Sequence, residues 1–218
     1  MPPAPDPGEG PTPPSLFIPE IRDYQRINAD LANLLDQGHP RIRLEGAEGQ
    51  RLLVAGLAGP WHAVVEVDGR TGPELAAGLD APHLVVVARG ATADGVGLGL
   101  RSGVVLVLGA AGDAAGYGQS GGVLVVDGPA GHRAGLAQSG GILALLGPAG
   151  RLAGDRQTGG HLFAPLGAFG PHAGRGRRGG RLVEGPTAGP LDPDAARAWR
   201  EARAAAAPWV DLAAGVAL

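Results

Sequence analysis

The sequence of 218 residues contains no cysteine and no lysine, and only 4% of its residues are aromatic. Without cysteine, the chain cannot supply thiolates to an iron–sulfur cluster or a zinc site, nor a cysteine nucleophile. Without lysine, all 18 basic residues are arginines, which excludes a Walker-type phosphate loop and a Schiff-base lysine. None of these catalytic devices is therefore available to the chain.

Charge and hydropathy disfavour two further classes of partner. The net charge is −3, and the arginines are scattered apart from a group at Arg175, Arg177, Arg178 and Arg181, so nothing favours a nucleic-acid ligand. No apolar run approaches the length of a membrane span, and the proline-rich N-terminus lacks the charged start of a signal peptide. We therefore expect a cytoplasmic protein.

Glycine is abundant, with 40 residues, and it recurs at a fixed spacing. Three consecutive copies read GAAGDAAGYGQSGGVLVVD from Gly109, GPAGHRAGLAQSGGILALL from Gly128 and GPAGRLAGDRQTGGHLFAPL from Gly147. Looser copies begin at Thr71 and Gly90, and another covers residues 167–185 after a one-residue insertion near position 165. A fixed period of about 20 residues indicates a solenoid in which each copy forms one coil.

Each copy has an aliphatic run of about five residues, typical of a strand, followed by a glycine-rich part that predicts turns. Because the same strand recurs once in every copy, neighbouring strands run in one direction. The repeat therefore predicts an all-β fold, a parallel β-helix of 19-residue coils. One wholly apolar column is expected to point into the coil: Val86, Val105, Leu124, Leu143, Leu162 and Leu182.

The strand positions that alternate with this column are also mostly apolar and should face outward. They include Val85, Val104, Val123 and Ile142, and Val87, Leu106, Val125 and Phe163. A strand that is apolar on both sides is buried on both sides, so this outer face needs a cover. Since the flanking helices are short, we expect the face to contribute to docking a partner subunit.

Short elements precede the repeat. A helix is predicted to begin near Asp23 and to end at Gly38. Its apolar face contains Ile27, Leu31, Leu34 and Leu35. Strands are predicted at residues 41–44, 51–54 and 61–67.

A second helix is predicted after the repeat. Asp192 and Pro193 are favourable at a helix start, the helix should end at Pro208, and Trp199 is its apolar anchor. Both terminal helices are expected to cap or flank the solenoid, since solenoid ends need cover. The predicted organisation is a disordered proline-rich tail at 1–20, a β-helix domain at 21–185 and a helical extension at 186–218.

The segment Gly118-Gln119-Ser120-Gly121-Gly122 fits the G-x-S-x-G nucleophile elbow. However, Ser120 shares its phase with Arg101, Ser139 and Thr158 in neighbouring copies, and a nucleophile is not repeated along a stack. The phase indicates a structural role, with two polar ladders hydrogen-bonded along the helix axis. The second ladder contains Gln119, Gln138 and Gln157.

The segment Gly95-Val96-Gly97-Leu98-Gly99 resembles a phosphate-binding glycine loop. Its counterparts recur in the neighbouring copies without a following helix, which favours a structural turn. Five glycines share one phase in these turns, and we predict a left-handed or tightly packed backbone at each of them. They are Gly97, Gly116, Gly135, Gly154 and Gly174.

A column of mixed charge is formed by Asp94, Asp113, His132 and Arg151, and we expect it to lie on a solvated turn. A metal site needs converging ligands, whereas the histidines fall at scattered phases. These are His39, His62, His83, His132, His161 and His172. We therefore predict no catalytic, cofactor-binding or metal-binding residue in this chain.

The pattern G-x-x-G-D/H-x-x-G-x-x-Q-S-G-G-x-L/I-x-x-x-G is similar to the GXGXG repeat of the C-terminal domain of the glutamate synthase large subunit. The same repeat occurs in the C subunit of formylmethanofuran dehydrogenase. The segments Ile27-Asn28-Ala29-Asp30-Leu31 and Gly49-Gln50-Arg51-Leu52, with Leu34, Gly38, Ile42 and Gly56-Leu57, resemble the lead-in of the stand-alone relatives. Those relatives are subunits of glutamate-synthase-like complexes, including N-methylglutamate synthase.

The resemblance implies a right-handed parallel β-helix that carries no catalytic residue. It also implies two partners: a class II glutamine amidotransferase subunit, and a synthase subunit that holds FMN and an iron–sulfur cluster. The β-helix would hold these parts of the oxidoreductase together, and this chain would bind no cofactor itself.

Three alternatives remain open. One is the C subunit of a formylmethanofuran dehydrogenase or formyltransferase–hydrolase complex. Another is a hexapeptide acyltransferase, which needs an aliphatic residue at every sixth position and coils of about 18 residues, whereas each copy here has a single aliphatic run. The last is a structural repeat protein without an enzyme partner.

Overall fold

The computed structural model describes residues 12–20, 23–185 and 193–209. Nine strands form one sheet, whose order follows the chain and whose neighbouring pairs are all parallel, which confirms the predicted parallel β-helix. The elements are β1 (Ser15–Phe17), a 3₁₀ turn (Ile18–Glu20), α1 (Tyr24–Asp36), β2 (Arg41–Glu48), β3 (Ala63–Arg70), β4 (Asp80–Ala88), β5 (Ser102–Val107), β6 (Val123–Val126), β7 (Ser139–Leu145), β8 (Gly159–Ala164), β9 (Arg181–Glu184) and α2 (Pro193–Ala206).

The strand register gives the length of each coil. Between β5 and β8 it advances by 19 residues per coil, as in the pairs of Val104 with Val123 and of Ile142 with His161. Between β8 and β9 it advances by 20, because His161 pairs with Arg181. This step confirms the predicted one-residue insertion. The coil between β3 and β4 is longer still, because Val64 pairs with Val85.

The interior of the solenoid is filled by the column predicted to point inward. Val86, Val105, Leu124, Leu143 and Leu162 are each fully buried. They stack directly on one another because paired positions of parallel strands lie about 4.8 Å apart. Leu182, in the last strand, is only partly buried but packs against the same cluster.

Helix α1 closes the first coil. Asp23 caps it by accepting a hydrogen bond from the Gln25 N–H, and Gly38 follows it with φ of +81°, as expected for a helix end. The buried Asn28 amide donates to the Leu52 carbonyl at 2.8 Å and accepts from the Val54 N–H at 2.8 Å. These hydrogen bonds join the helix to the backbone of the turn that contains Leu52 and Val54.

Helix α2 covers the outer face of the sheet. Trp199, Ala202 and Ala206 are fully buried against the outward apolar side chains of the strands. A helix of 14 residues is about 21 Å long, close to four or five strand spacings, so α2 can cross about half of the nine-stranded sheet. The chain thus buries much of this face itself, and the expected contribution of the face to docking a partner subunit stays a prediction.

Two N-terminal predictions are wrong. Residues 51–54 form a turn and no strand, because Leu52 and Val54 have φ of 57° and 59°, outside the extended region. The predicted tail is too long, since Ser15–Phe17 pairs with β2 and Ile18 is buried in the core. The rest of that tail, at 1–11, and positions 186–192 and 210–218 of the predicted extension lie outside the described residues.

The turns of successive coils share an unusual backbone pattern, with positive φ at alternate residues. In the turn of residues 94–99, the φ values of Gly95, Gly97 and Gly99 are +72°, +64° and +61°. The Gly97 N–H donates to the Leu75 carbonyl of the preceding coil, whereas Gly95 and Gly99 donate to carbonyls of the following coil. The alternation therefore joins each turn to both of its neighbours.

The five glycines that share one phase are all left-handed, as predicted. Their φ values lie between +64° and +69°. In Gly135 a Cβ atom would come within 2.6 Å of the Leu162 Cδ1 atom, and in Gly154 within 2.7 Å of the Leu182 Cδ1 atom. Left-handed geometry and lack of space together require glycine at these two positions. The five residues are Gly97, Gly116, Gly135, Gly154 and Gly174.

Candidate functional site

The glutamine column forms the predicted ladder inside the solenoid. Gln119, Gln138 and Gln157 have no exposed surface. The Nε2 atom of Gln157 lies 3.0 Å from Oε1 of Gln138, and that of Gln138 lies 3.5 Å from Oε1 of Gln119. Each amide also donates to backbone carbonyls of its own and the next coil. Buried amides need such partners, so the ladder is a structural device.

The second polar column lies on the surface instead. Ser120, Ser139 and Thr158 are all exposed. The glycine that follows each of them is required by close stacking, because a Cβ on Gly121 or Gly140 would clash with a backbone carbonyl of the preceding coil. Of the two glycines in the G-x-S-x-G match at Ser120, coil packing requires Gly122, where a Cβ would lie 2.8 Å from the Gly103 carbonyl oxygen, whereas Gly118 has a φ of +64° and open space.

The glycine loop at residues 95–99 uses its amides within the fold. The N–H groups of Gly95, Gly97 and Gly99 donate to carbonyls of neighbouring coils at 2.7–2.8 Å, and those of Leu98 and Leu100 close turns within the loop. A phosphate nest needs several backbone N–H groups pointing at one ligand. These amides already have protein partners, so the loop serves the turn.

The column of mixed charge forms a ladder along the turn, and we call it the turn column. Asp94 Oδ1 accepts from the Asp113 N–H at 2.8 Å, and Asp113 Oδ1 accepts from the His132 N–H at 2.8 Å. His132 Nδ1 in turn accepts from the Arg151 N–H at 3.0 Å. Each of these side chains therefore binds the backbone of the next coil, which is more order than the predicted solvated turn requires.

Close packing between coils explains why a glycine precedes Asp113, His132 and Arg151 in the turn column. A Cβ on Gly112, Gly131 or Gly150 would clash with the accepting atom of the side chain in the preceding coil. Because His132 accepts through Nδ1, its proton sits on Nε2 and is available as a donor. The outward groups of the column are thus two carboxylates, one imidazole N–H and one guanidinium.

The histidines do not assemble a metal centre in the described part of the chain. His62 and His83 stack face to face with their ring centroids 4.0 Å apart, an arrangement in which the nitrogens do not converge on one point. Across residues 12–20, 23–185 and 193–209, no three histidine or carboxylate side chains are placed to hold a metal ion.

An ion cluster that sequence reasoning missed lies beneath the end of α2. The Glu66 side chain is fully buried on the outer face of β3. Its carboxylate accepts from Arg41 Nε at 2.5 Å and from Arg89 Nη2 at 2.7 Å. The ring of Trp209 covers both guanidinium groups, at 5.0 Å and 4.6 Å from their carbon atoms. The Arg43 Nε atom lies 3.6 Å from Glu66 Oε2. We call Glu66, Arg41, Arg43, Arg89 and Trp209 the Glu66 cluster.

The arginines set the ionisation of Glu66. Burial by itself raises the pKa of this carboxyl, but hydrogen bonds from Arg89 and Arg41, reinforced by their charges, lower the pKa below its usual value of 4.5. In the outward column Glu66 lies between Val87 and Arg43, where the apolar run ends, and this change of residue type is the signal in the sequence that could have identified it.

Two clefts flank α2, each of about 380 Å³. The first lies beside the stacked histidines and includes Ser102 and Glu201, and Ser102 Oγ donates to Asp80. The second is lined by five glycines from three coils, with Asp194 and Arg197 from the first turns of α2. Helix α2 therefore covers the centre of the outer face more closely than its margins.

Neither a scan of protein-family models nor a search of curated proteins finds a match to this chain. Within the described part of the chain, no helix is both long and apolar enough to cross a bilayer.

Proposed function

We propose that this chain is a scaffold subunit of a glutamine-dependent, FMN-containing oxidoreductase similar to glutamate synthase. In this proposal the complex makes glutamate or N-methylglutamate, and the chain itself contributes no catalytic residue. The observation that carries the proposal is the turn motif, which is also the basis of the family resemblance. In consecutive coils its middle glycine is left-handed and bonds to the preceding coil, as in Gly116 with Val96 and Gly135 with Ala115.

The hydrogen bonds made by the polar side chains support a scaffold role for this chain. The buried glutamines bond to one another and to backbone carbonyls, and the side chains of Asp94, Asp113 and His132 each accept from a backbone N–H of the next coil. A catalytic group needs freedom to exchange protons or to reach a substrate. These side chains are instead committed to holding coils together, which suits a rigid spacer between enzyme subunits.

The proposed partners are a class II glutamine amidotransferase subunit and a synthase subunit that carries FMN and an iron–sulfur cluster. The test is co-expression of the tagged chain with a class II glutamine amidotransferase subunit and an FMN-binding synthase subunit from the same genome. We expect all three to co-purify, and we expect glutamine-dependent product formation to fall more than about tenfold when the chain is omitted.

Ser120→Ala serves as the control, and activity should stay within about twofold of the wild type. Full assembly and activity without the chain would contradict the proposal. A loss of about 10³-fold in Ser120→Ala with intact assembly would instead identify a nucleophile. Co-purification with formylmethanofuran dehydrogenase subunits would favour the alternative complex.

A further inference from the structure

The turn column has a property that the proposed function does not use: its hydrogen-bond acceptors and donors are antisymmetric about its centre. In order along the solenoid, Asp94 and Asp113 present carboxylate oxygens, and His132 and Arg151 present donors. Each of the first three side chains uses one atom for the internal ladder. The column therefore offers two acceptors followed by two donors, spaced by coils about 4.8 Å apart.

A two-fold rotation that reverses the solenoid axis matches this column with itself. With the rotation axis in the plane of the turn face, between Asp113 and His132, every residue stays in its own column while the order of coils is inverted. Asp113 then faces His132 of a second copy, and Asp94 faces Arg151. Isologous contacts of this kind are the usual basis of homodimers. Both pairs place an acceptor opposite a donor.

The remaining charges of these four coils do not oppose the arrangement. The same rotation places three charged side chains of neighbouring columns opposite uncharged residues: Arg133 opposite Ala114, Arg156 opposite Gly99, and Asp155 opposite Leu98. In addition, Tyr117, an exposed aromatic side chain, faces Leu136. Like charges placed directly opposite would cost free energy and exclude the pairing, and the rotation creates no such contact within the four coils.

The charge balance of the whole solenoid favours the same partner. From residue 128 to residue 185 there are seven arginines and only two acidic residues, Asp155 and Glu184. The coils before residue 128 carry the acidic excess. An antiparallel copy places the acidic half of one chain beside the basic half of the other, which steers association and fixes its direction.

We propose that this chain forms a two-fold antiparallel dimer through its turn column, with a second copy of the chain as the occupant. The inference does not depend on the proposed function. The turn column is a single line of polar side chains, so the dimer interface is small and the dimer should be weak, with Kd on the order of 10 to 100 μM at low salt. Its charged contacts also make it sensitive to ionic strength.

The test is sedimentation velocity of the full chain between about 20 and 500 μM, at about 50 mM and 500 mM NaCl. We expect a dimer at low salt that dissociates at high salt. Arg151→Asp places a carboxylate opposite Asp94 twice per dimer, and should raise Kd at least about tenfold. Arg101→Asp makes the same change of charge opposite Thr158, outside the column, and should leave Kd within about threefold.

A charge-swap experiment makes the test specific. Asp94→Arg and Arg151→Asp should each be monomeric alone, yet form a heterodimer when mixed, because one of the two contacts then keeps its native Asp94–Arg151 pair and the other has the same pair with reversed charges. Thermal melts followed by circular dichroism check that each variant folds. If Asp94→Arg does not fold, the dimer Kd of Arg151→Asp compared with that of Arg101→Asp still tests the proposal.

Three results would overturn the dimer. They are a wild-type monomer over the whole concentration range at low salt, a dimer that Arg151→Asp leaves intact, and folded single variants that do not associate when mixed.

Discussion

The side-chain amide of Gln157 donates to that of Gln138, 3.0 Å away in the preceding coil, and both are completely buried. Gln138 also donates to the carbonyl groups of Gly140 and His161. With its contact to Oε1 of Gln119 at 3.5 Å, this one amide joins three successive coils. Removing one partner of a buried hydrogen bond lowers stability strongly, because the remaining polar group then has neither its partner nor water to bond to.

Replacing this amide should therefore destabilise the solenoid. We expect Gln138→Leu, which keeps the volume and removes the hydrogen bonds, to lower the free energy of unfolding by about 2 to 4 kcal/mol. Ser139→Ala, at the exposed neighbouring position, should change it by less than about 0.5 kcal/mol. Urea unfolding measures both values. Equal effects at the two positions would show that the ladder has no special role.

Gly135→Val should be strongly destabilising, at several times the roughly 1 kcal/mol of a typical point mutation. The position has φ of +68°, and a Cβ would lie 2.6 Å from Leu162 Cδ1. Gly118→Ala separates the two causes, because Gly118 has φ of +64° but open space around its Cβ position. It should cost only about 1 kcal/mol. An unchanged melting temperature in Gly135→Val would contradict the coil packing described here.

Charge on the outer face should unfold the chain. Val125 is completely buried under α2, so Val125→Glu places an unpaired carboxylate in an apolar interface, at a cost of several kcal/mol. Val104→Glu is the matched comparison, because Val104 is only partly buried and lines the cleft beside α2. It should cost markedly less. A Val125→Glu protein with wild-type stability would mean that α2 leaves this face in solution.

The Glu66 cluster predicts a pH dependence with a definite sign. The folded-state pKa of Glu66 is lowered, so its ionised form stabilises the fold at every pH above the usual value of 4.5. That contribution is lost as the pH falls below 4.5 and through the folded-state pKa. We expect the stability difference between wild type and Glu66→Gln to be constant from about pH 6 to 8 and to shrink below about 4.5.

The size of the Glu66→Gln effect at neutral pH should reflect burial. Arg41 and Arg89 lose a charged partner, so we expect a loss of about 2 to 4 kcal/mol. Glu74→Gln removes the carboxylate from the exposed pair with Arg51 and should cost less than about 1 kcal/mol. Urea unfolding from about pH 3 to 8 gives both curves. A Glu66→Gln difference that grows on acidification would contradict this assignment.

The period of the sequence is enough to predict the solenoid and much of its detail. A strand that recurs once per copy at a fixed period can only stack in parallel, so the register of Val123 on Ile142, the inward leucines and the glutamine ladder all follow from the period. The left-handed glycines also follow, because glycine at one phase of five successive copies indicates a left-handed or tightly packed backbone, although Ala76 has the same left-handed conformation in the preceding coil. These features are local and repeated, and each copy tests the interpretation of the others.

Other features depend on contacts between segments that do not repeat, and the period does not predict them. Leu52 and Val54 have strand-like side chains, yet Asn28 from α1 binds their backbone in a left-handed turn, across sequence separations of 24 and 26 residues. The cover of the outer face depends on where α2 lies, and its apolar stripe does not specify a partner surface. Glu66 becomes buried only because Arg41, Arg89 and Trp209 come from three other segments to surround it. Contacts between non-repeating segments leave no periodic signal, so only the folded chain defines them.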